Sequence, residues 1–580
     1  MAWALVESVR TARGPRQRVV AYLGDLSEAA RLGVKAACSE TTAYQPSLFG
    51  ETQPEWVEID WRSLEVRQTL KFGGAWLGHE LFKLLRLPDC FESAMPKGRE
   101  DISWSVMAEV LILSRLIEPS SELKIVEHLY AQSAMAEVLG VPWEKINEQR
   151  LYRGLDQLLP HKEALEKHLK ERTGDLFELT YDLLLYDVTS TYFEGLCTRN
   201  SKAKRGYSRD KRPDCLQVCI GLVVSREGMP VGYEVFDGNR TDVTTVEDIV
   251  NLMEKRYGKA DRVWVMDRGM ASEENLAFLH EGGRRYIIGA PRSKLKQFEA
   301  ELLSKDWEQI REGLEVKRVS SPDGMETYLL CRSVQRQAKE QAMHERCIVK
   351  IEEGLGKIEA ACNRKQQQVS TVERRIGRLL EHYSHAAALF KITTLTSADG
   401  SVRVHWEKDH RWQEWAALSE GCYLLRTNID DWSADELWHA YIQLTQAESA
   451  FRIQKSDLKL RPIWHQKSER VQAHILVCFM AYVIWKTLGL IAKKVGLGDE
   501  PRRVWEELSR IILVDGVART RTGGEITKRC VSRPTPLQTQ ILYHLPFELP
   551  RHLTSFDHNV VIQSTRKNAD LSVTGGKITC

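Results

Sequence analysis

The sequence predicts an α/β protein in which helices flank a mixed sheet, a β-rich insertion with a long helix interrupts the core, and a helical region precedes it. Three observations lead to this fold class. Apolar, strand-like runs begin at Leu183 and then alternate with helical stretches as far as Ala290. Helical periodicity dominates residues 61–175. A long charged helical stretch, flanked by strand-like pieces, lies within residues 297–428.

Composition sets the broad class of the protein. The 580-residue chain has 43% hydrophobic and 28% charged residues, which is typical of a globular protein with several domains. A formal net charge of only +2 gives little support for a nucleic-acid partner, so a DNA-binding surface must be a local patch. The 12 cysteines show no zinc-like spacing, which indicates free thiols in a reducing cytoplasm.

The patterns divide the chain into six regions. Residues 1–60 alternate polar and apolar residues around Gly14-Pro15, which predicts a small hairpin followed by a linker. The other five regions are a helical region that is either a DNA-binding or a packing domain (61–175), the first part of the core (176–296), the insertion (297–428), the second part of the core (429–496) and a C-terminal region (497–580).

One apolar stretch, Ala473–Ala492, raises the question of a membrane span. Its unbroken apolar part covers only Ile475–Trp485, whereas about 20 predominantly apolar residues are needed to cross a bilayer. A buried core helix is therefore the favoured interpretation.

Two aspartates follow apolar runs of the predicted core. Asp187 ends the run in LLLYDVTST, and Asp267 ends the run in VWVMDRG. Each alone is better explained as a turn or cap residue. Neighbouring strands lie about 4.8 Å apart, however, so two acids on adjacent strands of one sheet can share a divalent ion. Gly269 permits a tight turn after Asp267, and Ser272 is expected to begin the next helix.

A third acid, Glu448, belongs to a helix that is predicted to begin at Ser433, because Ser433 and Glu436 match a capping box. The helix is expected to run on to about Lys455. Five of its residues are spaced by three, four, four and three positions and so fall on one face: Tyr441, Leu444, Glu448, Arg452 and Lys455. This face is either solvated, with a Glu448–Arg452 pair, or part of a site.

Chemistry links the three acids. Phosphodiester cleavage needs an activated oxygen nucleophile and a stabilised leaving oxygen, which two divalent ions about 3.5–4 Å apart supply. Carboxylate oxygens suit Mg²⁺, and substrate phosphate oxygens complete its shell.

These motifs resemble those of DDE transposases, whose catalytic core is RNase H-like. A subgroup of bacterial insertion-sequence transposases carries a Tyr-x2-Arg-x3-Glu-x6-Lys signature around its third acid. Tyr441, Glu448 and Lys455 match that signature, and Leu444 replaces its Arg. YDVTSTYFEG, FDGNRTD, DRGMASEEN and ESAFRIQKSDLKLRPIWH also resemble the family, so the likeness covers most of 176–290 and 430–495. The family's β-rich insertion between its second and third acids matches the spacing here.

The resemblance implies that Asp187, Asp267 and Glu448 are catalytic and bind Mg²⁺, with Mn²⁺ as a possible substitute. It implies cleavage at transposon terminal inverted repeats and attack of the freed 3′-OH on target DNA. It also implies a homodimer in the synaptic complex, in the bacterial cytoplasm at the nucleoid and without a membrane partner. Family members often form DNA hairpins in which aromatic residues of the insertion hold a flipped base. Three tryptophans of this region are candidates, although Trp is more often a core residue: Trp406, Trp412 and Trp415.

A basic segment between the first two core strands is the main candidate for phosphate contact, because backbone affinity for DNA is largely electrostatic. It begins just after the strand that carries Asp187. Its basic residues are Arg199, Lys202, Lys204, Arg205, Arg209, Lys211 and Arg212. Tyr441, Arg452 and Lys455 on the Glu448 helix are further DNA-binding candidates. The alternative for the segment is a flexible solvated loop.

Three other functions fit parts of the pattern. A nuclease would share the site and stop at hydrolysis. A phosphatase-like hydrolase would use Asp187 as nucleophile, although that superfamily has Asp where Thr189 stands. A DNA-binding protein with a decayed site is the third, and Leu444 is the one sign of decay.

Overall fold

A computed structural model describes residues 3–11, 14–24, 58–321, 324–396 and 401–550. The chain divides into two compact units, one of residues 1–61, 519–524 and 565–580 and one of residues 62–518 and 525–564. In the first unit, β1 (Trp3–Thr11) and β2 (Gly14–Gly24) form an antiparallel hairpin in which Thr11 lies opposite Gly14.

The described residues contain fourteen further strands. These are β3 (Ile59–Lys71), β4 (Leu183–Tyr192), β5 (Gln217–Ser225), β6 (Pro230–Asp237), β7 (Val263–Met266), β8 (Arg285–Ala290), β9 (Glu308–Arg311), β10 (Leu314–Ser320), β11 (Thr327–Ser333), β12 (Phe390–Thr396), β13 (Val402–Lys408), β14 (Cys422–Thr427), β15 (Ile512–Thr520) and β16 (Glu525–Val531). Nine of them form one sheet with the order β6-β5-β4-β7-β8-β14-β11-β10-β9. β12 pairs with β13, and β16-β15-β3 form a third sheet.

Fifteen α-helices of eight or more residues occur in the described chain. They are α1 (Gly73–Leu84), α2 (Leu87–Ala94), α3 (Trp104–Ile117), α4 (Glu148–Leu158), α5 (Lys162–Phe177), α6 (Val246–Tyr257), α7 (Glu273–Glu281), α8 (Val334–Arg364), α9 (Val369–His382), α10 (His410–Ser419), α11 (Ala434–Ile442), α12 (Thr445–Ser456), α13 (Ser468–Lys494), α14 (Pro501–Ser509) and α15 (Pro536–His544). Helices α1 to α5 account for most of residues 73–177 and supply the helical region that precedes the large sheet.

The large sheet is mixed, as the sequence predicts. β4, β5 and β6 form an antiparallel meander, whereas β7 is parallel to β4 and β8 is parallel to β7. The residues of β5 and β7 are all buried, which explains their continuous apolar runs: a strand that is covered on both faces has no solvent side for polar residues. Two core clusters cover opposite faces of these strands. The prediction of a mixed sheet flanked by helices is confirmed.

The region 297–428, which the sequence suggests is an insertion, contributes four strands to the same sheet. β14 pairs antiparallel with β8, and β11 pairs antiparallel with β14. β10 and β9 then continue the sheet to its edge. The rest of the region, formed by α8, α9 and the β12–β13 hairpin, has a small core of its own around Ile351, Leu355 and Ile376. The large sheet thus extends well beyond the part that carries the candidate acids.

Helix α13 packs in the interior. It is long and apolar enough to cross a membrane, but 89% of its most apolar window is buried within the protein. It contacts α3, α4 and α12. Its hydrophobic character therefore follows from burial on all sides, as expected for a core helix.

Candidate active site

The first two acids lie side by side at the seam between the antiparallel and parallel halves of the large sheet. The parallel pairing of β4 and β7 ends with Tyr186 opposite Met266. Asp187 directly follows Tyr186, and Asp267 directly follows Met266. Adjacent strands are separated by about 4.8 Å. The expectation that Asp187 ends its strand is wrong, because β4 continues to Tyr192 through antiparallel pairing with β5, in which Asp187 lies opposite Leu222.

Asp267 does leave its strand, as the sequence predicts. It precedes a single 3-10 turn, Arg268–Met270, and its side chain is exposed. Ser272 then caps α7, since its hydroxyl accepts a hydrogen bond from the backbone N–H of Asn275 at 3.1 Å. This capped corner fixes the backbone that carries Asp267 while leaving its carboxylate open to solvent.

Asp187 sits in a different electrostatic environment. Burial raises the pKa of its carboxyl to about 7, and the negative charges of Asp267 and Glu448 add to the shift. A hydrogen bond from the Val188 backbone N–H to Asp187 Oδ1 (2.8 Å) and the Arg209 guanidinium oppose it. The charges of Asp267 and Glu448 therefore act on the Asp187 carboxyl, and an added cation would relieve this repulsion.

Glu448 lies in the first turn of α12, which packs on β4 and β5. The capping box at Ser433 is present, but the expected single helix is wrong: α11 ends at Ile442 and α12 begins at Thr445. Leu444 and Ala447 donate backbone hydrogen bonds to residues three positions back, which is 3-10 geometry. The Thr445 hydroxyl also donates to the Ile442 carbonyl at 2.8 Å. This tight turn separates α11 from α12, the helix that carries Glu448.

This turn separates Tyr441, which lies on α11, from Glu448, Arg452 and Lys455, which all lie on α12. Tyr441 is half-buried beside the Asp267 corner, and a Cβ added to Gly289 would lie 2.7 Å from its hydroxyl. Burial raises the pKa of Tyr441, and the charge of Asp267 adds to the effect. Leu444 is only 6% exposed and belongs to the core. Arg452 lines a separate cavity of about 850 Å³ with Arg226 and Lys486 and others, and its guanidinium bonds to Ser449.

Lys455 is buried in an ion pair. Its Nζ lies 2.8 Å from Asp210 Oδ1, and the two side chains are 9% and 3% exposed. Arg461 pairs with the same carboxylate oxygen. Burial lowers the pKa of Lys455, although Asp210 opposes this shift. Since Asp210 belongs to the basic segment, Lys455 ties that segment to α12.

The basic segment is anchored at several points. Phe193 bridges to Ile463, Arg199 bridges to Lys467, and Lys204 bridges to Gln217. Four of its cations have protein partners: Lys202 with the Val235 carbonyl (2.7 Å), Lys204 with Asp237 (2.6 Å), Arg209 with Asp242, and Arg212 with Asp214 (2.9 Å). Within the described residues, the side chains of the other three have no such partner and face solvent: Arg199, Arg205 and Lys211.

Three residues of this site escaped the sequence analysis. Asp210 and Arg461 complete the buried cluster around Lys455, and Asp242 pairs with Arg209 and so holds that guanidinium near Asp187. Asp242 lies in the FDGNRTD segment that resembles the family, which was the available signal. The pairing partners of Asp210 lie 245 and 251 residues away in sequence, so no local pattern marks them.

The tryptophans of region 297–428 are packed rather than free. Trp406 and Trp412 lie against the small core formed by α8, α9 and the β12–β13 hairpin, and Trp415 lies against the cluster beneath β14. Their partial burial is sufficient to account for their presence.

The side chains available to hold a metal are the carboxylates of Asp187, Asp267 and Glu448. Among the described residues, no group of three His, Cys, Asp or Glu side chains lies close enough to hold an ion in its present rotamers. Asp267 and Glu448 are exposed and free to rotate, and both already act electrostatically on Asp187. An all-oxygen set of three carboxylates fits a hard divalent cation.

Comparison with known proteins gives one informative match. A family model described as the transposase DDE domain matches residues 178–484, which includes all three acids. Among solved structures, the chain is similar to a cryo-EM structure of the piggyBac transposase synaptic complex with hairpin DNA. That similarity has a TM-score of 0.35 and 8% identity over 78% of this chain and 82% of that chain, which is too weak to establish a shared fold. No curated protein matches.

Proposed function

The chain belongs to the family of transposases with a DDE domain, and we propose that Asp187, Asp267 and Glu448 are the three acids with which it cleaves DNA and transfers strands. The observation that carries the assignment is the position of Asp187 and Asp267 immediately beyond the last β4–β7 pair, with Glu448 close enough to affect the pKa of Asp187. Enzymes of this family use divalent metal ions.

The core is proposed to be RNase H-like. Its support is the strand order β6-β5-β4-β7-β8, in which an antiparallel meander is followed by two parallel strands. In this arrangement Asp187 and Asp267 lie just beyond the carboxyl end of the parallel β4–β7 pairing. Ligands of open sheets commonly bind at such a position.

The metal is proposed to be Mg²⁺, with Mn²⁺ as a substitute, held by the carboxylates of Asp187, Asp267 and Glu448. When bound, it supplies an activated oxygen nucleophile and stabilises the leaving oxygen. The protein's own part is to hold the carboxylates and to adjust their charge. The Val188 N–H and the Arg209 guanidinium favour the ionised form of Asp187, which burial disfavours.

DNA is the substrate of the family, and its contacts here are proposed from exposure and pairing. Arg199, Arg205 and Lys211 face solvent and are proposed to bind backbone phosphates. Lys202, Lys204, Arg209 and Arg212 have protein partners and are proposed to shape the segment as well as to add positive charge. Lys455 is proposed to position the segment through Asp210. Tyr441 is proposed to support the Asp267 corner, and Arg452 to contact DNA from the neighbouring cavity.

The natural DNA is proposed to be the terminal inverted repeats of the element and a target duplex. A homodimer, with one active site for each of the two ends, is proposed for the synaptic complex. The bacterial cytoplasm, at the nucleoid, is the proposed location.

The test is a strand-cleavage assay on duplexes that carry the terminal repeats. Asp187→Asn, Asp267→Asn and Glu448→Gln are each expected to abolish cleavage with Mg²⁺ and to leave DNA binding within a fewfold of wild type; EDTA should abolish cleavage by the wild type. Asp182→Asn is the matched control, because Asp182 is an exposed acid just before β4 whose Arg226 contact is 3.8 Å long. Full cleavage by any of the three variants would refute the assignment. Strand-transfer products distinguish a transposase from an enzyme that stops at hydrolysis.

A further inference from the structure

A cavity beside Asp267 is lined by arginines that the three-acid assignment does not use. Its volume is about 480 Å³, which is within the range of ligand-binding pockets. Among the described residues that line it, Asp267 is the only acid and four are arginines: Arg268, Arg292, Arg311 and Arg336. Tyr423, Trp438 and Tyr441 form part of the remaining wall.

The added strands of the large sheet create this cavity. Arg311 ends β9, Arg336 lies in the first turn of α8 directly after β11, and Tyr423 lies on β14. Arg268 follows Asp267 on the opposite side. The cavity therefore joins the edge that holds the acids to the strands contributed by region 297–428.

The positive charge in the cavity is only partly neutralised. Arg292 and Arg336 share one acid, Glu340, at 2.9 Å each. Glu340 is itself nearly buried and also accepts the Gly421 N–H at 3.0 Å, so it is fixed in place. Neither Arg268 nor Arg311 has an acidic partner within the part of the chain that the structure describes. Four guanidinium groups thus face two carboxylates, Glu340 and Asp267.

Aromatic rings hold two of the guanidinium groups in position. Arg311 lies 4.9 Å from the centroid of the Trp438 ring, and Arg336 lies 5.0 Å from that of Tyr423. The Trp438 indole N–H donates to the Tyr423 hydroxyl at 2.7 Å, which links the two rings. Stacking on a ring leaves the in-plane N–H groups of an arginine free to donate. Such groups match phosphate oxygens in both charge and geometry.

We propose that this cavity binds a backbone phosphate of the DNA strand within a few nucleotides of the cleaved phosphodiester, with Arg311 and Arg336 as the main donors and Arg268 on the acid side. The inference rests on the proposed function, because it places the strand relative to Asp267. It names a contact that sets which phosphodiester reaches the acids, and Arg311 and Arg336 are positioning residues of the cleavage step.

The experiment uses full-length protein and a set of terminal-repeat duplexes, each with one neutral methylphosphonate linkage near the cut. For the wild type, we expect one or two positions at which the neutral linkage slows single-turnover cleavage by about tenfold. Arg311→Ala and Arg336→Ala are expected to slow cleavage of unmodified DNA to a similar extent and to show no further loss at those same positions. Arg311→Lys should cleave faster than Arg311→Ala because it keeps the positive charge. It should remain slower than the wild type because it lacks the planar donor group.

Two controls separate the outcomes. Arg332→Ala removes another ring-stacked arginine of the same sheet, 4.5 Å from the Trp307 centroid and outside the cavity, and should cleave like the wild type with the same position dependence. Asp187→Asn should abolish cleavage of every duplex. If Asp187→Asn is inactive while the arginine variants keep the full position-specific penalty, the cavity inference is wrong and the three-acid assignment stands. If Asp187→Asn cleaves normally, the proposed function itself is wrong.

Discussion

The buried pair between Lys455 and Asp210 allows two roles of Lys455 to be separated: direct phosphate contact, and anchoring of the basic segment. Asp210→Asn removes no cation from the protein but leaves the Lys455 ammonium, which is 9% exposed, without its acid. Removing one partner of a buried pair costs about 3–5 kcal/mol. Arg461 is 31% exposed and can turn to solvent, so only Lys455 is left buried and unpaired, and we expect about 3 kcal/mol.

The assay measures anchoring and DNA binding in the same variant. Anchoring predicts that Asp210→Asn lowers the melting temperature, reduces hydrogen-exchange protection across residues 193–216 and weakens DNA binding. Direct phosphate contact predicts equal or tighter binding, because the ammonium is released. Asp182→Asn is the control, since an exposed ion pair contributes little to stability. Unchanged protection and melting in Asp210→Asn would refute the reasoning.

Three further predictions concern the surroundings of the site. Burial lowers the pKa of Lys486 from 10.5 to about 8, so between these values the unfolded chain holds more protons and the free energy of unfolding rises with pH. Below about pH 8 the buried ammonium costs about 3 kcal/mol. Lys486→Met should therefore stabilise the protein at neutral pH by up to that amount and abolish the rise of the unfolding free energy with pH. Denaturant unfolding at several pH values checks this, and an unaltered pH profile contradicts it. Gly289→Ala should slow cleavage at least tenfold, because its Cβ would lie 2.7 Å from the Tyr441 hydroxyl and 3.0 Å from the Arg268 backbone nitrogen. Adding Tyr441→Phe should recover part of the rate. A wild-type rate in Gly289→Ala would show that the close approach is unimportant. Leu444→Arg, which restores the family signature, should lower the melting temperature without raising activity, because Leu444 is buried; an equally stable and more active variant would argue against this.

The local sequence was sufficient to single out Asp187 and Asp267 as candidates, because each follows an apolar run. β7 is buried throughout and ends one residue before Asp267, so an acid at that point contrasts with the apolar run before it. Asp187 is recognisable for the same reason, although its strand continues. The residues after it, Val188 to Thr191, are buried, and a polar sequence such as Thr-Ser-Thr gives no sign of that.

The surroundings of Glu448 could not be predicted from spacing. A periodic pattern assumes an uninterrupted helix, and the 3-10 turn at Gln443–Leu444 breaks that assumption without a Pro or Gly to mark it. Tyr441 then lies on α11 beside Gly289, whereas Glu448 and Lys455 both lie on α12, where Lys455 pairs with Asp210. The signature therefore spans two helices, although its spacing fits one face of a single helix.

The sheet extension explains why the acids and the arginine cavity act as one site. β14 joins β8 by antiparallel pairing of Leu424 with Ala290 through Thr427 with Ile287, across more than a hundred residues of chain. No local pattern encodes that pairing, yet it attaches Arg311, at the end of β9, and Arg336, in the helix that follows β11, to the sheet that carries Asp187. A site built on strands holds its groups more precisely than one built on loops. A phosphate bound by these arginines would consequently be held at a fixed distance from the acids, and cleavage would occur at one phosphodiester rather than at several.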